Sequence, residues 1–301
     1  MYDIAIIGGG AAGLTAALYA LRANKTVLVI EKASFGGQIT YSPLVENFPT
    51  RASMSGAELA DSLTEQVLSL GAEAEVDTVL KIENGGDFKT IVGEYGRYEA
   101  KAVVIATGAK HRMLGLDREN DFIGEGISFC AVCDGAFYKD KHVAVIGGGN
   151  SALQEALLLS KLCSKVTIVQ NLAFLTGEDK LQEQINAADN VSVILEATVK
   201  ELVGGSSLTA IVLNTKGGEQ TLEVDGMFIA IGLIPQNEAF SDLMDLDSYG
   251  YADSDESCTT KTQGVFVAGD CRKKSVRQLT TACADGSVAA LAACKYLDSL
   301  K

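Results

Sequence analysis

The sequence predicts an α/β fold made of two Rossmann-like dinucleotide-binding domains, because one strand–turn–helix–strand pattern occurs twice. The first copy runs from Ile4 to Glu31, and the second runs from Val143 to Gln170. In each copy an apolar run ends in three consecutive glycines, continues with apolar residues at helical spacing and returns to a second apolar run. Each copy is a βαβ unit, so we expect an internal duplication of one nucleotide-binding architecture with three ββα layers.

Further apolar runs set the predicted domain limits. Strands are expected at 102–106, 226–232 and 265–268, and an Ala-rich helix at 279–300. Linkers are expected near residues 109–116 and 234–245. We therefore predict a discontinuous first domain, 1–111 and 240–301, with a second domain, 112–239, inserted into it.

Composition excludes several classes of function. The chain has 301 residues, which is more than one hydrophobic core usually organises. Its net charge of −14 argues against nucleic acid or an anionic membrane as the main partner. The sequence has no apolar run of about 18 residues, the length that spans a bilayer. It starts directly with a strand and lacks the basic segment of a signal peptide, so a cytoplasmic protein is expected.

Seven cysteines are present, and only Cys130 and Cys133 are close in sequence. A zinc site needs four ligands, and one CxxC with His111 and His142 supports it poorly, so no metal is expected. The other cysteines lie among apolar or small residues and are expected to be buried. They are Cys163, Cys258, Cys271, Cys283 and Cys294.

The first glycine turn has the GxGxxG pattern of a dinucleotide site. Gly8 permits the tight turn, Gly10 lets the backbone approach a pyrophosphate, and Gly13 lets helix and strand pack closely. Glu31 stands where the second strand ends, the position of an acid that accepts a hydrogen bond from a ribose hydroxyl. A glycine-rich packing turn is the alternative, but the strand–helix–strand context together with Glu31 predicts a bound dinucleotide.

Several further motifs add a more specific resemblance. They are Gly36–Gln38, Val45–Pro49, Ala106–Ala109, Cys130–Gly135, Gly264–Asp270 and Arg277–Ala282. With these motifs the chain resembles the low-molecular-weight thioredoxin reductase family over nearly its whole length. The resemblance implies a homodimeric flavoprotein that holds FAD in the first domain and reduces thioredoxin or a thioredoxin-like protein.

The resemblance also implies the residues of the FAD site. Asn47 and Gln278 would lie near the isoalloxazine, and Asp270 would bind the ribitol. The other residues implied beside Gly8, Gly10, Gly13 and Glu31 are Ala12, Gly37, Gln38, Thr107, Gly108, Gly269, Arg277 and Leu279.

The CxxC pair places two sulfurs close enough to form and break a disulfide, and a helix N-terminus can favour the reactive thiolate. Metal binding is the weaker alternative. The resemblance implies that Cys133 contacts the flavin, that Cys130 attacks the substrate disulfide, and that Asp134 is the general acid or base for the leaving thiolate. A structural role for Asp134 as a helix N-cap remains open beside this one.

The second glycine turn lacks a nucleotide clamp. Gly147, Gly149 and Ala152 preserve the turn, but Gln170 stands in the register of Glu31. A 2′-phosphate needs cations, and the family's usual pattern there is His-Arg-Arg followed four residues later by Arg. The aligned residues of this chain are Gln170, Asn171, Leu172 and Thr176. We therefore expect weak binding of NADPH.

A different electron donor is then expected. The chain resembles the ferredoxin-dependent flavin thioredoxin reductases, in which reduced ferredoxin delivers electrons to FAD. Residues 271–284 contain four cations and no acid, and could form a docking patch for an acidic ferredoxin. The alternatives are solvated surface for the run as a whole and a pyrophosphate contact for Arg277. Two other functions remain open: an NAD(P)H-dependent reductase with an atypical site, and a non-catalytic flavin redox sensor. The four cations are Arg272, Lys273, Lys274 and Arg277.

Overall fold

The computed structural model describes residues 1–42, 45–49 and 52–300. It divides into two compact units. The first unit comprises Met1–Lys110 and Ile234–Lys301, and the second comprises His111–Leu233. Each unit is described separately below.

The first unit opens with the predicted βαβ pattern and closes with a long helix. Its sheet strands are β1 (Tyr2–Ile7), β2 (Val27–Glu31), β3 (Glu73–Val76), β4 (Val79–Asn84), β5 (Lys89–Gly93) and β6 (Arg97–Ile105). Its first two helices are α1 (Ala11–Arg22) and α2 (Gly56–Ser69). A capping box of Ser55 and Glu58 begins α2.

Strands of the first unit form one sheet in the order β3-β2-β1-β6-β5-β4. Strands β3, β2, β1 and β6 are parallel, and β5 and β4 continue the sheet as an antiparallel hairpin. The parallel order of third, second, first and fourth strand is that of a Rossmann half. One face is covered by an apolar core that includes Leu14, Ala16 and Ala293, and the other by a core that includes Phe240 and Met244.

The second unit repeats the arrangement. The chain reaches it through β7 (Ala109–His111) and continues into its own elements. These are β8 (Ile127–Ser128), α3 (Ala131–Asp134), β9 (His142–Ile146), α4 (Asn150–Ser160), β10 (Lys165–Val169), α5 (Asp179–Asn186), β11 (Val191–Ile194), β12 (Thr198–Gly204), β13 (Leu208–Thr215), β14 (Gly218–Glu223) and β15 (Gly226–Ile229).

Parallel strands of the second unit lie in the order β11-β10-β9-β15-β8. An antiparallel sheet, β12-β13-β14, packs on one face through a core that includes Ile211 and Leu213. Helices α4 and α5 cover the other face through Leu153, Leu159 and Ile185. The predicted α/β fold with two Rossmann-like domains is therefore confirmed, and so is the internal duplication.

The chain returns to the first unit through β16 (Leu233–Pro235), which pairs with β7. It continues into β17 (Val265–Val267), which pairs in parallel with β6 as the seventh strand of the first unit's sheet, and into α6 (Leu279–Ser299). His111, which the sequence assigned to the first domain, belongs to the second unit, and residues 234–239, which it assigned to the inserted domain, belong to the first unit. The reason for the second difference is Asn237, which is 1% exposed and donates Nδ2 hydrogen bonds to the carbonyls of Gly250 (2.9 Å) and Cys271 (2.7 Å).

Cysteines outside the CxxC pair are free thiols. Cys163, Cys258, Cys271 and Cys294 are buried, as expected, whereas Cys283, in α6, is partly exposed. Within residues 1–42, 45–49 and 52–300, no helix is both long enough and apolar enough to cross a bilayer.

Candidate functional site: a glycine cradle and a redox disulfide

The first glycine turn is tightly closed between β1 and α1. Gly8 adopts a φ of +109°, and a Cβ there would lie 2.3 Å from the carbonyl oxygen of Ala106. A Cβ on Gly13 would lie 1.9 Å from the carbonyl oxygen of Gly8. Only glycine fits either position, as the fingerprint requires. Gly10 is the N-cap of α1 and has no side-chain cap bond, so the helix start is open to an anion.

Glu31 closes the turn from the end of β2. Its Oε2 accepts a hydrogen bond from the Gly9 amide (2.7 Å), and its Oε1 accepts one from the Ala33 amide (3.0 Å). The following loop is tied back to the turn, since the Gly36 amide donates to the Gly9 carbonyl at 2.7 Å. A Cβ on Gly37 would lie 3.2 Å from Gly10 Cα, so bare backbone lines both sides of this cradle.

Asp270 follows Gly269, whose Cβ position lies 2.8 Å from Ala12 Cβ at the start of α1. Its Oδ1 is buried, has no hydrogen-bond partner among the described residues, and lies 3.8 Å from Lys274 Nζ. Burial raises the pKa of Asp270, although Lys274 and Arg277 oppose the rise. A buried acceptor without a donor is costly, and the hydroxyls of a bound ligand would satisfy it. The glycine cradle and Asp270 therefore fit a dinucleotide that carries a polyol.

The remaining residues implied for the FAD site also belong to the first unit. Asn47 Nδ2 donates to Gln278 Oε1 at 3.3 Å, and the Gln38 amide donates to the Ala109 carbonyl. Gln278 precedes the first residue of α6, Leu279. The others lie in the turns after β6 and β17 or in α1; they are Thr107, Gly108, Gly269 and Ala12.

The run of cations after Asp270 is not the exposed patch that the sequence suggested. Arg272 is 5% exposed, and its Nε and Nη2 donate to the Asp285 carboxylate at 2.8 and 2.9 Å. Lys274 is equally enclosed and donates to Asp285 Oδ2 at 2.9 Å. Arg277 stacks over the Tyr251 ring at 4.1 Å. Only Lys273 of the four has an exposed ammonium, so the predicted docking patch is wrong, because an acid on α6 draws two of its cations inward.

Cys130 and Cys133 form a disulfide in the second unit, with their Cα atoms 5.3 Å apart. Cys130 is the N-cap of α3, and its sulfur accepts from the Cys133 amide at 3.2 Å. The helix has only four residues, so its dipole is small. Both cysteines are partly exposed, which leaves the pair accessible to a disulfide substrate.

Asp134 ends the short helix next to the disulfide. Its Oδ2 accepts a hydrogen bond from Ser128 Oγ at 2.6 Å, and the same hydroxyl accepts from the Cys130 amide at 3.2 Å. Asp134 stands at the N-cap position of the short 3-10 helix Gly135–Tyr138, but its side chain makes no cap hydrogen bond there. Its Oδ1 is buried without a partner among the described residues, and burial raises the pKa of Asp134 although Ser128 opposes this. A carboxyl with a raised pKa beside a disulfide suits a general acid.

Two residues of this site were not assigned a role from the sequence. Ser128, the last residue of β8, is 4% exposed and links Asp134 to Cys130. Glu155, on α4, has a buried Oε2 without a partner among the described residues. Burial and then the Asp134 charge raise the pKa of Glu155 to about 8. The available signal for Glu155 was an acid three residues after Ala152 and four before Leu159, on the apolar face of α4.

The second glycine turn is formed, but its ligand side differs from the first. Gly147 has a φ of +128°, and Gly149 is the N-cap of α4. Gln170 is 5% exposed, and its side chain is satisfied locally by the Asn171 amide (3.1 Å) and the Phe174 carbonyl (3.3 Å). Leu172 and Phe174 are 41% and 62% exposed at the positions that follow. The loop therefore presents apolar side chains where a phosphate would need cations.

Comparison with known proteins gives a consistent result. The profile of the pyridine nucleotide-disulphide oxidoreductase family matches residues 2–286. The thioredoxin reductase of Listeria monocytogenes is 41% identical over 304 residues, covering 100% of this chain and 95% of the Listeria protein. A 34.2 kDa protein in a rubredoxin operon of Clostridium pasteurianum is 42% identical over 298 residues, covering 98% of this chain and 97% of that protein.

Among solved structures, thioredoxin reductase from Streptococcus pyogenes matches with a TM-score of 0.94 and 41% identity, covering 99% of both chains. The chain belongs to the thioredoxin reductase family. It is a flavin-dependent disulfide oxidoreductase, and its cofactor is FAD, which the glycine cradle and the unpaired Asp270 carboxylate fit. A second match, thioredoxin reductase from Giardia duodenalis, has a TM-score of 0.91 and 33% identity over 99% of both chains.

Proposed function

We propose that this thioredoxin reductase family member passes electrons from FAD through the Cys130–Cys133 disulfide to thioredoxin or a thioredoxin-like protein, and that reduced ferredoxin supplies them. The observation that carries the thioredoxin step is the accessible disulfide with Asp134 and Ser128 beside it. FAD, when bound, supplies the electrons that open the disulfide. The residues proposed to hold it are those of the cradle, with Glu31 and Asp270.

The roles proposed for the two cysteines and for Asp134 are those that the family resemblance implies. Once it is reduced, the Cys130 thiolate attacks the partner's disulfide, and the partner's leaving sulfur takes a proton from Asp134. Cys133 then attacks the mixed disulfide, which releases the reduced partner and restores the internal disulfide. Ser128 orients Asp134 and the Cys130 backbone at once, because one hydroxyl bonds to both.

Ferredoxin as donor is supported by the loop after β10. A nucleotide 2′-phosphate needs charge-assisted hydrogen bonds, each worth about 1.5–3 kcal/mol. Residues 171–179 contain no cation, and the exposed residues among them include Leu172 and Phe174. NADPH therefore lacks the partners that would make it a working substrate. A one-electron protein donor also accords with the relative from a rubredoxin operon. Assembly as a homodimer is proposed from the family resemblance alone.

Pyridine nucleotide remains the second candidate donor, because the second glycine turn keeps its φ of +128° at Gly147 and an open helix start at Gly149. A stopped-flow comparison on the same oxidised, FAD-loaded protein separates the two donors. Reduced ferredoxin should bleach the flavin rapidly, and millimolar NADPH should bleach it at least about a thousandfold more slowly. Rapid reduction by NADPH and none by ferredoxin would overturn the donor assignment.

Cysteine variants test the disulfide step independently of the donor. With chemically reduced flavin, Cys130→Ser and Cys133→Ser should each abolish thioredoxin reduction and leave FAD bound, since the relay needs both sulfurs. Cys163→Ser, a change at a buried free thiol in the same unit, should keep turnover. If either CxxC variant turns over at the wild-type rate, the pair is not the relay.

A further inference from the structure

We propose that Glu155 is a positioning residue that keeps Asp134 supplied with a proton during disulfide exchange. The inference rests on the proposed disulfide step and adds a residue to it. Asp134 lies on α3 and Glu155 on α4, and these two helices pack against each other within the second unit. Each carboxyl has one oxygen that is shielded from water and has no hydrogen-bond partner among the described residues.

Burying two carboxylates together is unfavourable, so such a pair retains a proton. The pKa of Glu155 is raised to about 8, first by burial and then by the charge of Asp134. The pKa of Asp134 is also raised by burial, but Ser128 donates to its carboxylate and opposes the rise. Glu155 is therefore the member that still carries a proton at neutral pH, beside an Asp134 that has to regain one.

Other titratable groups of the surrounding elements do not take this role. Tyr138 stands four residues after Asp134. Burial, and then the charge of Asp134, raise the pKa of Tyr138 to about 12, so it stays neutral. The charged residues of α5 near its start, Asp179, Lys180 and Glu183, are exposed. Two neighbouring strands, β9 and β10, begin with titratable residues, His142 and Lys165. The pKa of His142 is lowered, first by burial.

The proton and electron balance closes without another reactant. The Cys130 thiolate forms a new S–S bond to the partner, the partner's S–S bond breaks, and its electron pair goes to the leaving sulfur. That sulfur takes the proton of Asp134. The Asp134 carboxylate then regains a proton from Glu155, and Glu155 takes one from water.

The test uses repeated turnover of the FAD-loaded protein across pH, with chemically reduced flavin and an excess of oxidised thioredoxin, because Asp134 needs a proton from Glu155 only after its first proton has left. Glu155→Gln keeps the size of the side chain and removes its titration. The ratio of the wild-type rate to the variant rate cancels the thiol's own ionisation. We expect a ratio of about ten at pH 7 that falls toward one above pH 8, where Glu155 loses its proton.

Glu155→Asp, which keeps a carboxyl, should restore the pH-dependent part of the wild-type rate. Glu183→Gln, the same chemical change at an exposed site, should give a ratio of one.

A ratio of one at every pH, or a ratio above one that does not change with pH, overturns the inference, since a structural defect would slow the reaction equally at all pH values. If the Glu155 variants fail to fold, infrared spectra of the wild type decide. A protonated carboxyl band should persist at pH 7 and disappear near pH 8, and its absence at pH 7 overturns the inference. Loss of turnover in Cys130→Ser together with a flat Glu155→Gln ratio would leave the proposed function standing and remove only this residue.

Discussion

At the scale of single residues, Asp285 is a buried acid of the first unit that accepts hydrogen bonds from two cations and a backbone amide. Its carboxylate accepts from Arg272, from Lys274 at 2.9 Å and from the Gly269 amide at 3.0 Å. Burial alone would raise the pKa of Asp285, but the hydrogen bonds from Arg272 and Lys274 outweigh burial and lower it. Asp285 thus holds the turn that carries Asp270, and the cations after this turn are bound inside the unit.

Replacement of this acid should be costly in a pH-dependent way. Asp285→Asn leaves two buried cations without a counter-charge, so the free energy of unfolding at pH 7 should fall by about 3 kcal/mol. Because the folded-state pKa is lowered, the wild type's advantage is present above the ordinary carboxyl pKa of 3.8 and is lost as pH falls through the folded value. Urea titrations at pH 7 and pH 3 measure both effects.

A matched control for this change is Asp253→Asn. Asp253 is 58% exposed and pairs with Lys273 at 3.4 Å, so its loss should cost less than about 1 kcal/mol. Asp285→Asn and Asp253→Asn variants of equal stability at pH 7 would contradict the buried-ion account.

Residue-level prediction from sequence succeeded where the chemistry is local. Gly8 and Gly13 lie where the turn excludes a Cβ, and the CxxC spacing brings Cys130 and Cys133 into one disulfide. It failed where a side chain's partner is distant along the chain. Arg272 appeared to be a surface cation because nothing in the sequence places α6 over the turn after β17. Tertiary packing decides that contact, and propensity carries no information about it.

At the scale of elements, the first unit depends on close packing of α1 against α6. A Cβ on Gly286 would lie 2.1 Å from the carbonyl oxygen of Ala12, and a Cβ on Gly269 would lie 2.8 Å from Ala12 Cβ. The two helices can therefore approach only because α6 has a glycine where it meets the first turn of α1. The same turn of α1 begins at Gly10, so this packing fixes the start of the helix that faces the proposed FAD phosphates.

Gly286→Ala should separate these helices, because the clash is with backbone and no flexible side chain can move aside. Overpacking of this kind costs about 1–3 kcal/mol, and the cradle would lose its alignment. We expect a lower melting temperature and a lower ratio of FAD to protein in the purified variant. Leu291→Ala, at a 53% exposed position of the same helix, is the control and should change neither. Full FAD occupancy in Gly286→Ala would show that the cradle tolerates a shifted α6.

At the scale of the whole molecule, the sequence predicted a duplicated, discontinuous architecture because both βαβ patterns and both glycine turns are local signals. The C-terminal boundary of the inserted domain was predicted less accurately than its N-terminal boundary. Residues 234–239 contain Pro235 and no strong periodicity, so composition suggested a linker. Their place in the first unit depends on Asn237, whose amide hydrogen-bonds to two distant carbonyls. Buried polar contacts of this kind have no signature in a single sequence.

Excision of the inserted unit provides the broadest test. The chain leaves the first unit after Lys110 and re-enters it at Ile234, in strands β7 and β16 that pair with each other. Paired strands lie about 4.8 Å apart, so a short glycine linker can join Lys110 to Ile234. Every residue proposed for the FAD site is retained, whereas the disulfide, Asp134 and Glu155 are removed. The shortened protein should therefore be yellow, with one FAD per chain by absorbance, and should show no thioredoxin reduction with any donor.

The full chain with Cys130→Ala and Cys133→Ala is the control, and it should have the same FAD content as the shortened protein and be equally inactive. A folded but colourless shortened protein that FAD cannot reconstitute would show that the cofactor site needs residues 111–233.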